Sequence, residues 1–146
     1  MNRIGSTLIL SAALLLGAGT AQAALPDEAT MFKNPECGCC DEYARQLEVR
    51  GVTVKIVDDI EVGKIKQRVG LPYGLGSCHT LQMGGYAIEG HVPFEAVEKL
   101  FEERLDIGGI GLAGMPIGTP GMPGPKQGDW DVYQFRNGEA TPFTTL

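Results

Sequence analysis

Apolar residues along the chain alternate between short runs and helical stripes. Residues 29–32 form a short apolar run that breaks at Asn34-Pro35, which predicts a first strand running into a loop. Cys40, Tyr43, Ala44 and Leu47 recur at the spacing of one helix face, and Gly51 is placed to end that helix. The β-branched run Val52, Val54, Ile56 and Val57 predicts a second strand. Asp58 or Asp59 is positioned to cap a second helix with the stripe Val62, Ile65 and Val69, stopped by Gly70 and Pro72. A glycine-rich loop over 71–77 leads into a third strand over 78–83. Gly84-Gly85 signals a tight turn, and 86–88 returns as a fourth strand. Pro93 suits the first turn of a third helix with an apolar face of Phe94, Val97, Leu100, Phe101 and Leu105, ended by Gly108-Gly109.

The predicted order is β-α-β-α-β-β-α. A strand-helix-strand start, a hairpin and a last helix give an α/β, thioredoxin-like domain, in which the right-handed crossover makes the first two strands parallel. Residues 108–128 differ in kind. They are rich in Gly and Pro, carry Met115 and Met122, and are expected to form neither a helix nor a central strand. Beyond them, 130–135 and 140–143 flank Asn137-Gly138, a hairpin signal. The hairpin is expected to pack back on the domain, because Trp130, Tyr133 and Phe135 would otherwise be exposed. The expected organisation is one domain over 24–146, with a core at about 28–107 and a C-terminal extension over 108–146. No internal repeat is visible.

Residues 1–23 read as an export signal: Arg3, an apolar run over 4–16, and the small-x-small site Ala21-Gln22-Ala23. The run is short for a membrane span. The expectation is a periplasmic protein, beginning near Ala24, with no stable membrane span. The 146 residues suit a single domain, and 43% hydrophobic with 21% charged residues is a globular balance. A formal net charge of −6 argues against nucleic acid as a partner.

Export changes how the four cysteines are read, since outside the cytoplasm an even count ordinarily means disulfides. Cys37 and Cys40 have the Cys-x-x-Cys spacing of thiol–disulfide oxidoreductases, between a strand and a helix whose N-terminus favours thiolate. Cys39 does not fit that plan, because a third thiol competes for every mixed disulfide. Neighbouring cysteines are also poorly placed to bridge each other. Three thiols in four residues instead make a soft-donor patch of the kind that selects copper(I), zinc or iron–sulfur centres. The predicted topology brings Cys78, at the start of the third strand, beside that loop, with His79 next to it. The spacing is not that of a structural zinc site. It suits copper(I), as one ion or several. The plain alternative is two disulfides, for instance Cys37–Cys40 with Cys39–Cys78.

His91, in the loop Gly90-His91-Val92-Pro93, reads by itself as a surface or capping residue. Met115 and Met122 carry thioethers that suit copper(I), although a methionine more often fills an apolar gap, the reading preferred for Met122.

Taken together, Cys-Gly-Cys-Cys before a helix, Ser77-Cys78-His79-Thr80, Glu89-Gly90-His91-Val92-Pro93 and the run from Gly114-Met115-Pro116 to Pro120-Gly121-Met122 resemble a bacterial domain-of-unknown-function family that includes the periplasmic copper-resistance protein CopG. The likeness spans roughly 30–143. It implies a thioredoxin-like fold, a periplasmic setting and a role in copper resistance. It also implies a multinuclear copper–thiolate cluster on Cys37, Cys39, Cys40 and Cys78, and makes copper(I)/copper(II) redox activity an expectation. His79, His91 and Met115 fall on motif positions and are weaker ligand candidates. Expected partners are copper ions and other periplasmic copper-handling proteins. Two other readings stay open. One is a thiol–disulfide oxidoreductase with Cys37 as nucleophile and Cys40 as resolving thiol. The other is an interaction module whose cysteines are structural.

Overall fold

A computed structural model describes residues 24–58 and 61–146; the export signal expected over 1–23 lies outside the described residues. The elements in chain order are β1 (Glu28–Lys33), α1 (Gly38–Val49), β2 (Thr53–Val57), α2 (Val62–Arg68), β3 (His79–Met83), β4 (Tyr86–Glu89), α3 (Phe94–Glu103), β5 (Gly109–Gly111), β6 (Asp131–Arg136) and β7 (Glu139–Thr145). They build a mixed α/β fold on one seven-stranded sheet of order β2-β1-β3-β4-β5-β6-β7. β1 pairs with β2 in parallel and with β3 antiparallel, and β4 pairs with β5 in parallel. No helix among the described residues is long and apolar enough to cross a membrane.

Helices α1 and α3 bury their stripes in one core. The α1 stripe is Cys40, Tyr43, Ala44 and Leu47, and α3 contributes Phe94, Ala96, Val97 and Leu100. These meet Met31 of β1, Leu81 of β3, Ile88 of β4 and Ile110 of β5. Each large apolar side chain so buried contributes on the order of 1.5–3 kcal/mol of transfer free energy. Alternation along the strands sends Ala87 and Phe135 to the other face, where Leu75, Val69 and Leu71 cover them. The tyrosine hydroxyl of Tyr43, buried in the main core, donates to the Val92 carbonyl at 2.9 Å, tying α1 to the loop before α3.

Three expectations need correction. The Gly/Pro segment does supply a central strand: Gly109–Gly111 lies between β4 and β6. Its glycines are there because neighbours come close, backbone at Gly109 and the Leu75 and Glu89 side chains at Gly111. A Cβ on Gly109 would sit 1.8 Å from the Ala87 carbonyl oxygen. Second, α3 ends at Glu103, with Arg104 at φ 49° closing it in the left-handed region, so Leu105 lies beyond the helix. Third, α2 begins after Glu61, which makes no side-chain cap bond; Asp58 pairs with Lys33 instead, and Asp59 lies outside the described residues. The terminal hairpin forms as expected. Asn137 (φ 51°) and Gly138 (φ 84°) take the double positive-φ turn, and the Gly138 amide donates to the Gly70 carbonyl at 2.9 Å.

Replacing Gly109 by alanine should therefore cost about 1–3 kcal/mol of stability, the usual range for overpacking. Urea unfolding of G109A measures this, and an unchanged midpoint would contradict the close-approach account.

Candidate metal centre

The strand register builds the site. Lys33, the last residue of β1, lies opposite His79, the first of β3. The chain leaving β1 turns through Asn34 and Pro35 to Cys37, immediately ahead of α1, and the chain entering β3 delivers Cys78. Buried Lys33 holds the first of these loops. Its ammonium donates to the Asn34 and Pro35 carbonyls at 3.3 and 3.2 Å and pairs with Asp41 of α1 and Asp58 after β2 at 3.1 and 3.2 Å.

All four cysteines converge, with their sulfurs within 4.8 Å of one another. Cys37 and Cys40 form a disulfide, while Cys39 and Cys78 are thiols. The free thiols flank the bond: Cys39 Sγ is 3.4 Å from Cys37 Sγ, and Cys78 Sγ is 3.3 Å from Cys40 Sγ. A second overlapping donor set joins Cys40 and Cys78 to His79 and His91, again within 4.8 Å. His91 is fully buried rather than a surface residue. Its Nδ1 lies 2.7 Å from the Pro120 carbonyl. A carbonyl only accepts, so Nδ1 carries the proton and Nε2, 3.5 Å from Cys78 Sγ, keeps a free lone pair. His79 turns Nδ1 toward Cys78 Sγ at 3.8 Å, and its buried Nε2 has no partner among the described residues. Met115 sits elsewhere in character, 49% exposed in the loop after β5.

The Gly/Pro segment closes over the site. A Cβ on Gly121 would come within 2.5 Å of the Cys39 carbonyl and 3.0 Å of His91 Nδ1. Only a glycine, here at φ 83°, lets this strap lie so close. Burial sets the electrostatics. It pushes the Cys78 thiol up to about 11, with Cys39 adding to the effect, and it depresses both imidazoles, His79 to about 3. The neighbouring His91 and Lys66 deepen the shift at His79. Both histidines are thus neutral at pH 7, the form in which imidazole ligates metal. Once the disulfide is reduced, the centre offers four sulfurs, only Cys40 of them fully buried, and two neutral buried imidazoles, a donor set suited to a soft metal ion.

Sequence reasoning missed Pro120, Gly121, Glu89 and Lys66 as parts of this region. Pro120 and Gly121 stood inside a recognised motif without a role. Glu89 likewise stood in a recognised motif, and carried a further signal as a carboxylate at the end of an otherwise apolar strand.

A family described as a protein of unknown function, DUF411, matches residues 75–122, which hold Cys78, His79, His91 and Gly121. Two solved structures described as copper resistance protein copG, Form 1 and Form 2, are each 36% identical to this chain. Each has a TM-score of 0.75 and covers 83% of this chain and 98% of its own. No curated protein matches.

Keeping His79 neutral makes stability depend on pH. The unfolded imidazole titrates near 6.5, and the folded one near 3. The stabilisation is complete above 6.5 and is lost as pH falls toward 3, because the unfolded chain takes up the proton first. The metal-free protein should lose up to about 1.4 kcal/mol per pH unit from this group below pH 6.5. NMR should show no His79 titration between pH 5 and 8; a midpoint near 6.5 would contradict the assignment.

Proposed function

This chain belongs to the DUF411 family that includes the copper resistance protein CopG, and from that premise we propose that it is a periplasmic copper-binding protein of copper resistance. Copper(I) is its cargo, held as a multinuclear cluster by Cys37, Cys39, Cys40 and Cys78. The observation that carries this reading is the convergence of four sulfurs within 4.8 Å of one another. Soft, crowded, bridging thiolates favour copper(I) over harder ions. His79 and His91 serve as nitrogen donors at the cluster edge, and exposed Met115 is a thioether through which copper arrives or leaves. Residues 1–23 direct export, 24–146 form one thioredoxin-like metal-binding domain, and other periplasmic copper-handling proteins exchange copper with it.

The thiol count gives the site its redox character. With the Cys37–Cys40 bond closed, two of the four sulfurs are withdrawn from metal binding. A dithiol reductant that gives two electrons and two protons to that bond, and is itself oxidised to a disulfide, restores all four thiols. Copper(I) then displaces protons from the thiols, so affinity falls as pH drops. A copper(I)/copper(II) cycle is the oxidoreductase activity this reading assigns to the loaded protein.

The disulfide itself favours a second reading, a thiol–disulfide oxidoreductase using Cys37 and Cys40 at the N-terminus of α1. Cys39→Ser separates the two, since a redox enzyme needs only the outer pair. We expect the reduced protein to bind more than one copper(I) per chain in competition with a chromophoric chelator. Cys39→Ser should weaken binding by about 100-fold or more, beyond the 10- to 100-fold typical of losing an outer partner. No copper uptake, or a preference for zinc at a single site, defeats the copper reading. Full disulfide exchange in Cys39→Ser with unchanged copper binding favours the oxidoreductase.

A further inference from the structure

Cys78 stands just outside regular structure, at the end of a loop that contains Gly70, Gly74 and Gly76. Such a loop does not by itself hold a thiol in place. What holds it is a buried carboxylate on the far side of the sheet. Glu89, the last residue of β4, has no solvent exposure. Its Oε1 accepts the Ser77 amide at 2.6 Å, one residue before Cys78, and also the Lys66 ammonium from α2. Its Oε2 accepts the Thr80 hydroxyl at 2.6 Å, two residues after Cys78. Thr80 lies directly opposite Glu89 in the β3–β4 ladder and takes a second bond from Lys66 at 3.1 Å.

Glu89 therefore grips the chain on both sides of Cys78. Gly90 extends the grip, since a Cβ there would lie 2.6 Å from Ser77 Oγ. Burying a carboxylate costs several kcal/mol unless it is paired and hydrogen-bonded. An apolar residue would close a strand end more cheaply, so the charge calls for a reason beyond packing. Lys66 balances it and keeps the pair neutral.

We propose that Glu89 is a positioning residue for the metal centre: by fixing Ser77 and Thr80 it holds Cys78 against Cys40, with Lys66 as its counter-charge. The proposal rests on the reading that Cys78 ligates copper(I), and it has a readout that needs no metal. In protein with the Cys37–Cys40 bond closed, diamide takes two electrons and two protons from Cys39 and Cys78 and joins their sulfurs. The yield of that bond, read by peptide mapping, reports where Cys78 sits.

The test uses the full chain with E89Q, C78S and the double variant, each measured for copper(I) affinity by chelator competition. E89Q should weaken copper(I) binding by about 10-fold or more, as for the loss of an outer partner. In the C78S background the same change should alter affinity by less than about 2-fold, because coupled residues are non-additive. E89Q should also lower the Cys39–Cys78 bond yield several-fold. Equal losses in both backgrounds would mean general destabilisation and overturn the proposal, as would unchanged affinity or unchanged yield. If the unsubstituted protein takes up no copper, the copper reading falls and the bond yield alone decides the role of Glu89. Should E89Q not fold, Thr80→Val removes one donor to the same carboxylate, and the yield must still drop.

Discussion

Cys40 and Cys78 are 38 residues apart in sequence and 3.3 Å apart at sulfur. That contact depends on one constraint, the antiparallel register that sets Lys33 of β1 opposite His79 of β3. A slip of one residue would turn every β3 side chain to the opposite face. His79 would leave Tyr43, whose ring lies 5.1 Å away in the main core, and Cys78 would leave Cys40. The register is protected by burial on both sides of β3: Leu81 and Met83 face the α1–α3 core, while Thr80 faces α2. The metal centre thus rests on the same hydrophobic packing as the fold.

Around this contact, polar groups are buried in unusual places for a small domain. Lys33, Glu89, His79 and His91 are all buried near the carboxyl end of β1 or the strand ends beside it. Most are satisfied: Lys33 by two carbonyls and two carboxylates, Glu89 by an ammonium, an amide and a hydroxyl. His79 Nε2 is not. An unmet buried group of this kind costs about 1–3 kcal/mol, and it belongs to the ring whose other nitrogen, Nδ1, faces Cys78 Sγ. The arrangement resembles other functional sites in giving up local stability for a defined donor set.

Much of this was legible in the sequence, for identifiable reasons. The α1 face of Cys40, Tyr43, Ala44 and Leu47 follows from helical periodicity, and Asn137-Gly138 from the turn it must form. The convergence of Cys78 on the Cys-Gly-Cys-Cys loop followed from element order. The central strand β5 was not legible. Gly-Ile-Gly has little intrinsic strand preference, and only its neighbours in space explain its glycines, Ala87 at Gly109 and Leu75 with Glu89 at Gly111. His91 was undervalued because a loop histidine gives no sign of burial; its partner Pro120 is 29 residues away. Glu89 was missed because its meaning lies in Ser77, Thr80 and Lys66, which meet only in three dimensions.

In the reduced chain the four sulfurs are proposed to act as one soft-metal site. Copper K-edge absorption spectroscopy of the reduced, copper-loaded chain tests it most directly. Copper(I) surrounded mainly by sulfur, with neighbouring copper scatterers, is expected. A shell of nitrogen and oxygen alone, in a protein that is otherwise folded and loaded, would contradict it.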